Sequence, residues 1–167
     1  MKIVLAILFV LGSAPVDNRL PWPENYRQWV WLSSGLGMSY SPAAADREPQ
    51  FDNVFVDPAS YQSFVRNGLW PDGTMLVLEA RDSVSHGSIN QSGRFQGALR
   101  DIEVEAKDRG KWAFYSFGFS TKPASALPAT AACYSCHAQN GAVDNTFVQF
   151  YPTLFEIARQ KGTLRKQ

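Results

Sequence analysis

Cys133, Tyr134, Ser135, Cys136 and His137 form a C-x-x-C-H run in a chain that has two cysteines and two histidines in all, the other histidine being His86. Two thiols at this spacing can add across the two vinyl groups of a porphyrin, and the adjoining imidazole then stands where it can bind iron from one face. The run is the attachment signature of a c-type haem. Cys133 and Cys136 are therefore the candidate attachment residues for one covalent haem c, and His137 is the candidate iron ligand. A redox dithiol normally follows a strand in a βαβ unit, and a zinc site needs a second ligand pair; neither context surrounds these residues. An electron-transfer cytochrome usually supplies Met or a second His as the sixth ligand. None lies downstream of His137, and upstream the candidates are Met38, Met75 and His86, each of which reads more simply as a loop or core residue. The expectation is a five-coordinate iron whose open face can bind a small molecule.

The rest of the chain must position that cluster. With 167 residues, 45% of them hydrophobic and 13% aromatic, it can bury one sizeable core but is short for two domains. Disordered and fibrous classes are excluded. A formal charge of +1 with no basic run removes the electrostatic footprint of a nucleic-acid binder. Lys2, the apolar run from Ile3 to Leu11 and the small residues Gly12, Ser13 and Ala14 read as a secretory signal over residues 1–14. At about a dozen apolar or small residues it is shorter than the roughly 20 needed to span a bilayer, so no stable membrane anchor is expected. Export to the periplasm suits haem attachment, which in bacteria takes place outside the cytoplasm. Removing residues 1–14 deletes only Lys2 among the charged residues and leaves a formal charge of zero, so steering of a charged partner is not expected.

Residues 15–167 read as one α+β domain, a mostly antiparallel sheet with flanking helices and a helical C-terminal segment that carries the haem attachment. Pro21 and Pro23 make an extended lead-in, and a short helix or strand begins near Asn25. Residues 33–50, rich in Ser, Gly, Pro and Ala, read as a surface loop. Phe51 to Val56 is an apolar strand. Asp57 and Pro58 then open a helix as N-cap and first helical residue, with Tyr61, Phe64 and Val65 as its apolar stripe. Trp70-Pro71-Asp72-Gly73 is a turn. Thr74 to Arg81 and Asp101 to Lys107 are strands, the second with clean apolar and charged alternation, and residues 83–94 between them are a polar loop. Lys111 to Phe119 is aromatic on both faces, which places it in the middle of a sheet or against a bulky ligand. A Pro/Ala connector leads to Cys133, and Thr146 to Lys161 reads as helix interrupted at Pro152.

Taken together, Asn25-Tyr26-Arg27-Gln28-Trp29, Phe55-Val56-Asp57-Pro58-Ala59-Ser60-Tyr61, Asp72-Gly73-Thr74 with Val77 and Glu79, Lys111-Trp112-Ala113-Phe114-Tyr115, Cys133 to His137, Phe147 and Phe150-Tyr151-Pro152 resemble the cytochrome P-460 family, which includes the cytochromes c′-beta. The resemblance implies a single-haem, mostly antiparallel β fold, commonly a homodimer, that acts on or binds small nitrogen species. It also implies that cytochromes P-460 oxidise hydroxylamine with a haem cross-linked to a lysine from the strand after the Asp-Gly-Thr turn. Here the matching position is Leu78, and none of the six lysines lies in that strand. The chain thus resembles more nearly the cytochromes c′-beta, and that resemblance implies an apolar distal pocket that admits nitric oxide or carbon monoxide.

If Leu78 faces the porphyrin, period-2 alternation puts Leu76 and Ala80 on its face and turns Glu79 away. In the neighbouring strand Asp52 and Val54 share one face and Phe51 and Phe55 the other. A carboxylate such as Asp52 near the iron favours proton transfer from hydroxylamine, whereas Phe55 there acts as a steric cap. Leu78, Asp52 and Phe55 are the distal-pocket candidates, while Glu79 and Asp82 read as solvated charges. The leading expectation is an exported mono-haem cytochrome that binds nitric oxide or a similar small ligand. The alternatives are an enzyme that oxidises hydroxylamine and a plain electron-transfer cytochrome with Met38 or Met75 on the iron, in which case a redox partner protein is the macromolecular contact.

Overall fold

The computed structural model describes residues 19–39 and 48–166. The signal over residues 1–14 and residues 40–47 of the Ser/Gly/Pro stretch lie outside the described residues. The core of the molecule is one five-stranded antiparallel sheet in which neighbours in sequence are neighbours in space: β1 (Val30–Leu36), β2 (Gln50–Val56), β3 (Met75–Val84), β4 (Phe95–Asp108) and β5 (Lys111–Ser116). A 3-10 turn at Tyr26–Gln28 precedes β1. Helix α1 (Pro58–Asn67) joins β2 to β3, and α2 (Ala132–Asn140) and α3 (Pro152–Lys161) follow the sheet. This is the α+β arrangement expected from the sequence. Among the described residues no helix is long and apolar enough to cross a membrane.

Local chemistry accounts for the element ends. Asp57 accepts a hydrogen bond from the Ser60 backbone N–H at 2.9 Å, Pro58 occupies the first helical position, and Gly68 ends α1 with φ +73°. Pro152 likewise opens α3 rather than interrupting a longer helix, because its missing N–H costs nothing in a first turn. The β4–β5 hairpin turns through Arg109 and Gly110, both at positive φ, as a two-residue loop matched to strand twist requires.

Two expectations change. Residues 33–36 are not loop: β1 runs to Leu36 and pairs Ser33 with Val54 and Leu36 with Phe51, with a register shift at Leu32. Small polar residues serve there because an edge strand needs only backbone pairing. β5 is not central either; it closes one edge of the sheet. Its two-sided aromatic character arises because both of its faces are covered. Trp112 and Phe114 join the core between sheet and helices, with Phe64, Leu76, Leu154 and Val148, while Tyr115 packs against a second core on the opposite face. That second core, around Tyr26, Val77, Ile102 and Phe117, is closed by the N-terminal lead-in, whose Leu20 bridges to Ala124.

Candidate functional site

Helix α2 carries Cys133, Cys136 and His137 at i, i+3 and i+4, which puts all three on one helical face. The connector ahead of it is pinned to β5: the Leu127 N–H donates to the Phe114 carbonyl at 2.7 Å, and the Tyr134 hydroxyl donates to the Leu127 carbonyl at 3.2 Å. Between α2 and the sheet lies a cavity of about 500 Å³ whose lining includes Cys133 and His137.

His137 is held from three sides. The rings of Phe114 and Phe147 flank its imidazole, with centroids 4.6 and 4.3 Å away. Its Nδ1 lies 3.0 Å from the Asn145 carbonyl oxygen. That carbonyl is presented by a strained loop in which Asp144 and Asn145 both take positive φ. The loop is strapped down where Lys107 Nζ donates to Asp144 Oδ2 at 2.6 Å and where Trp70 Nε1 donates to Thr146 Oγ1 at 2.8 Å. A hydrogen bond at Nδ1 selects the tautomer that leaves Nε2 free as a metal ligand. Glu105 Oε2 is also only 3.2 Å from Nδ1, is buried, and has no hydrogen-bond partner of its own. Burial pushes the Glu105 carboxyl pKa up. Burial would push the His137 pKa down, but the nearby Glu105 carboxylate, together with the Asn145 carbonyl, outweighs it and raises the pKa above its ordinary value.

The strand register lays out the opposite wall. Leu76, Leu78 and Ala80 of β3 line the cavity, flanked on β2 by Val54 and Asp52, which pair with Leu78 and Ala80. On β4, Glu105, Glu103 and Asp101 pair with Leu76, Leu78 and Ala80 in turn, and all three line the same space. The result is a hydrocarbon strip bordered by carboxylates. Burial raises the pKa of Asp52 against a hydrogen bond from Gln50; burial first, and then the charges of Asp101 and Asp52, raise that of Glu103. Arg100 also reaches the lining and pairs with Asp82.

Leu78 and Asp52 thus lie along the cavity with Cys133 and His137. Phe55 does not: it faces the second core, edge-on to Tyr26 with ring centroids 5.7 Å apart, because it is one residue out of phase with Val54. Glu79 is no solvated charge. It is 4% exposed and accepts hydrogen bonds from the Tyr26 hydroxyl at 2.5 Å, Arg27 Nε at 2.9 Å and Arg81 Nε at 2.6 Å. Asp82 belongs to β3 rather than to a loop and is ion-paired. Met75 packs on the second core, across the sheet from the cavity, and His86 is not among the residues that line it. Met38 does line it, folded over Gly35 at the end where Gly35 pairs with Asp52. The sequence reading missed Glu105, Phe114 and Asn145 as neighbours of His137. The alternation over residues 101–107 was the available signal for Glu105, but it does not tell which face is covered.

These residues fit a covalent haem: two free thiols and an imidazole on one helical face, with a spare ring nitrogen, open onto a mostly hydrocarbon cavity. The model of the Cytochrome P460 family matches residues 23–148, from the lead-in before β1 to the turn after α2. The chain belongs to the Cytochrome P460 family. Membership implies a mono-haem c-type cytochrome as the protein class and haem c as the cofactor. No individual curated protein matches the chain at a significant level.

Proposed function

We propose that this Cytochrome P460 family member is an exported haem protein, with the porphyrin attached through Cys133 and Cys136, that binds nitric oxide or a similar small uncharged ligand on the iron face opposite His137. When bound, the iron supplies the Lewis-acid and redox centre; the chain supplies one axial nitrogen and the walls of the cavity. The observation that carries the reading is the placement of Met38. Among the described residues lining the cavity it is the one thioether, and the one imidazole is His137. His137 contacts Glu105, which pairs with Leu76, whereas Met38 lies over Gly35, in the row of Asp52 and Ala80. Four residues along β3 span about 13 Å. Met38 and His137 thus lie toward opposite ends of the strip, so the thioether is not placed to hold the same metal that His137 would hold. Leu78, midway along the strip, favours an apolar ligand and offers no amine for a cross-link to the porphyrin.

A second reading, oxidation of hydroxylamine, is favoured by Asp52, Asp101 and Glu103 on the same wall, two of them with raised pKa and so disposed to hold or pass a proton. Ferric and ferrous absorption spectra, a nitric oxide titration and mass spectrometry of the Cys133–His137 peptide test the first reading. The expected outcome is a high-spin centre that nitric oxide converts, with one haem mass on that peptide; a low-spin spectrum unmoved by nitric oxide refutes it. Steady turnover of hydroxylamine with an artificial electron acceptor moves the assignment to the second reading. Homodimerisation and a periplasmic location accompany the proposal. Light scattering that gives a monomer at every concentration rejects the dimer.

A further inference from the structure

Glu105 is a buried carboxylate that neither reading uses, and its Oε2 has no hydrogen-bond partner. Its neighbours across the strands are Leu76 and Phe114. The nearest cation on its own strand face, Lys107, is committed to Asp144 Oδ2 and to the Trp70 carbonyl. A core position surrounded by hydrocarbon would be filled more simply by a hydrophobe, since a buried acceptor without a donor is unfavourable. Yet Oε2 sits 3.2 Å from His137 Nδ1, against 3.0 Å for the Asn145 carbonyl oxygen. The nitrogen carries one proton and has two acceptors within reach. Phe114 and Phe147 hold the ring between them, so the choice between acceptors needs only a small rotation of the imidazole.

We propose that Glu105 is a positioning residue that acts through His137: its Oε2 shares or takes the Nδ1–H bond and so sets how strongly Nε2 binds iron. This rests on the haem reading above. A stronger acceptor at Nδ1 makes the other ring nitrogen a better donor, which strengthens the axial bond and stabilises the oxidised metal. It also determines whether His137 stays bound when a ligand that weakens the bond opposite to it, such as nitric oxide, occupies the far face.

The test uses the holoprotein with Glu105→Gln, which keeps the volume and removes the carboxylate, and Glu105→Asp, which withdraws the same group by one methylene. The ferrous iron–histidine stretching band in resonance Raman and the coordination number of the ferrous nitric oxide complex respond to the axial bond rather than to packing, and the reduction potential, which also senses the removed charge, is followed beside them. In both variants the stretching frequency is expected to fall, the potential to shift upward and the nitric oxide complex to move toward five-coordination. Bands, potential and coordination unmoved in variants that retain haem overturn the inference and leave the haem reading intact. If Gln at this position prevents folding, the Asp variant alone decides. Loss of haem from both variants, with a native circular dichroism spectrum, assigns Glu105 a purely structural role and also overturns it. A wild-type chain that carries no haem removes the reading on which it rests.

Discussion

Glu79→Gln tests how β3 is held in register. Gln preserves the volume but offers one acceptor oxygen to the Tyr26 hydroxyl, Arg27 and Arg81, which now converge on two carboxylate oxygens. The Arg27 side chain is 56% exposed and is resolvated when its partner goes, so it adds little to the loss. The Arg81 side chain is 22% exposed and the Tyr26 hydroxyl bond is buried, so one of them is left short of an acceptor at a cost of about 1–3 kcal/mol, with a further fraction for the lost charge assistance. The expected destabilisation is about 2–3 kcal/mol, below the roughly 3–5 kcal/mol of a fully buried broken pair. In urea, with m on the order of 2 kcal/mol per M, the midpoint falls by about 1–1.5 M at unchanged m. The pH dependence supplies a second arm. Burial alone would raise the Glu79 pKa, but the bonds from Tyr26, Arg81 and Arg27 hold it below the ordinary 4.5. A carboxyl with a depressed folded-state pKa contributes fully above its unfolded value and loses that contribution as pH falls through the folded value. The gap between wild type and variant should therefore be constant above about pH 5 and close on acidification. Asp52, Glu103 and Glu105, with raised pKa, act in the opposite sense, so only the difference between the two proteins isolates Glu79. A midpoint within about 0.3 M of wild type, or a gap that widens in acid, refutes the reasoning.

Gly141→Ala is expected to cost about 1–3 kcal/mol, because a Cβ there meets the Asn145 carbonyl carbon at 2.5 Å and no side chain can swing aside; its φ of −65° shows that space, not backbone freedom, is what the glycine provides. Since Asn145 holds His137 Nδ1, the same variant should broaden the iron–histidine band of the holoprotein, and urea melts at wild-type midpoint would contradict both expectations. On the proposed reading Met38→Ala should leave the ferric and ferrous spectra unchanged, because its thioether lies at the far end of the cavity from His137; conversion from low to high spin in that variant would show that it is an iron ligand.

What the sequence revealed and what it hid divide along one physical line. Features whose partners are a few residues away were legible: the Asp57 cap bonding three residues on, Pro58, the turn through Gly73, the period of β3 that turns Leu76, Leu78 and Ala80 to one side, and Cys133, Cys136 and His137 on one helical face. Features completed by distant chain were not. Glu79 reads as a solvent charge until Tyr26 and Arg27, more than fifty residues earlier, arrive to satisfy it. β1 has no apolar period over Ser33, Ser34 and Gly35. Its pairing is a backbone matter, helped by the Ser34 hydroxyl donating to Asn53 and by Gly35 leaving room for Met38. In β4 the alternation correctly separates Ile102 and Val104 from Glu103 and Glu105, yet the charged face is not uniformly solvated: Glu103 is exposed along the cavity wall while Glu105, two residues on, is buried beside His137. Alternation reports that two environments differ, and hydrophobicity assigns the charged one to water by default. That default fails where a strand borders a cofactor-sized cavity, and this is why the candidate ligand His137 could be named from five contiguous residues while Glu105, Phe114 and Asn145, which contact its ring, could not.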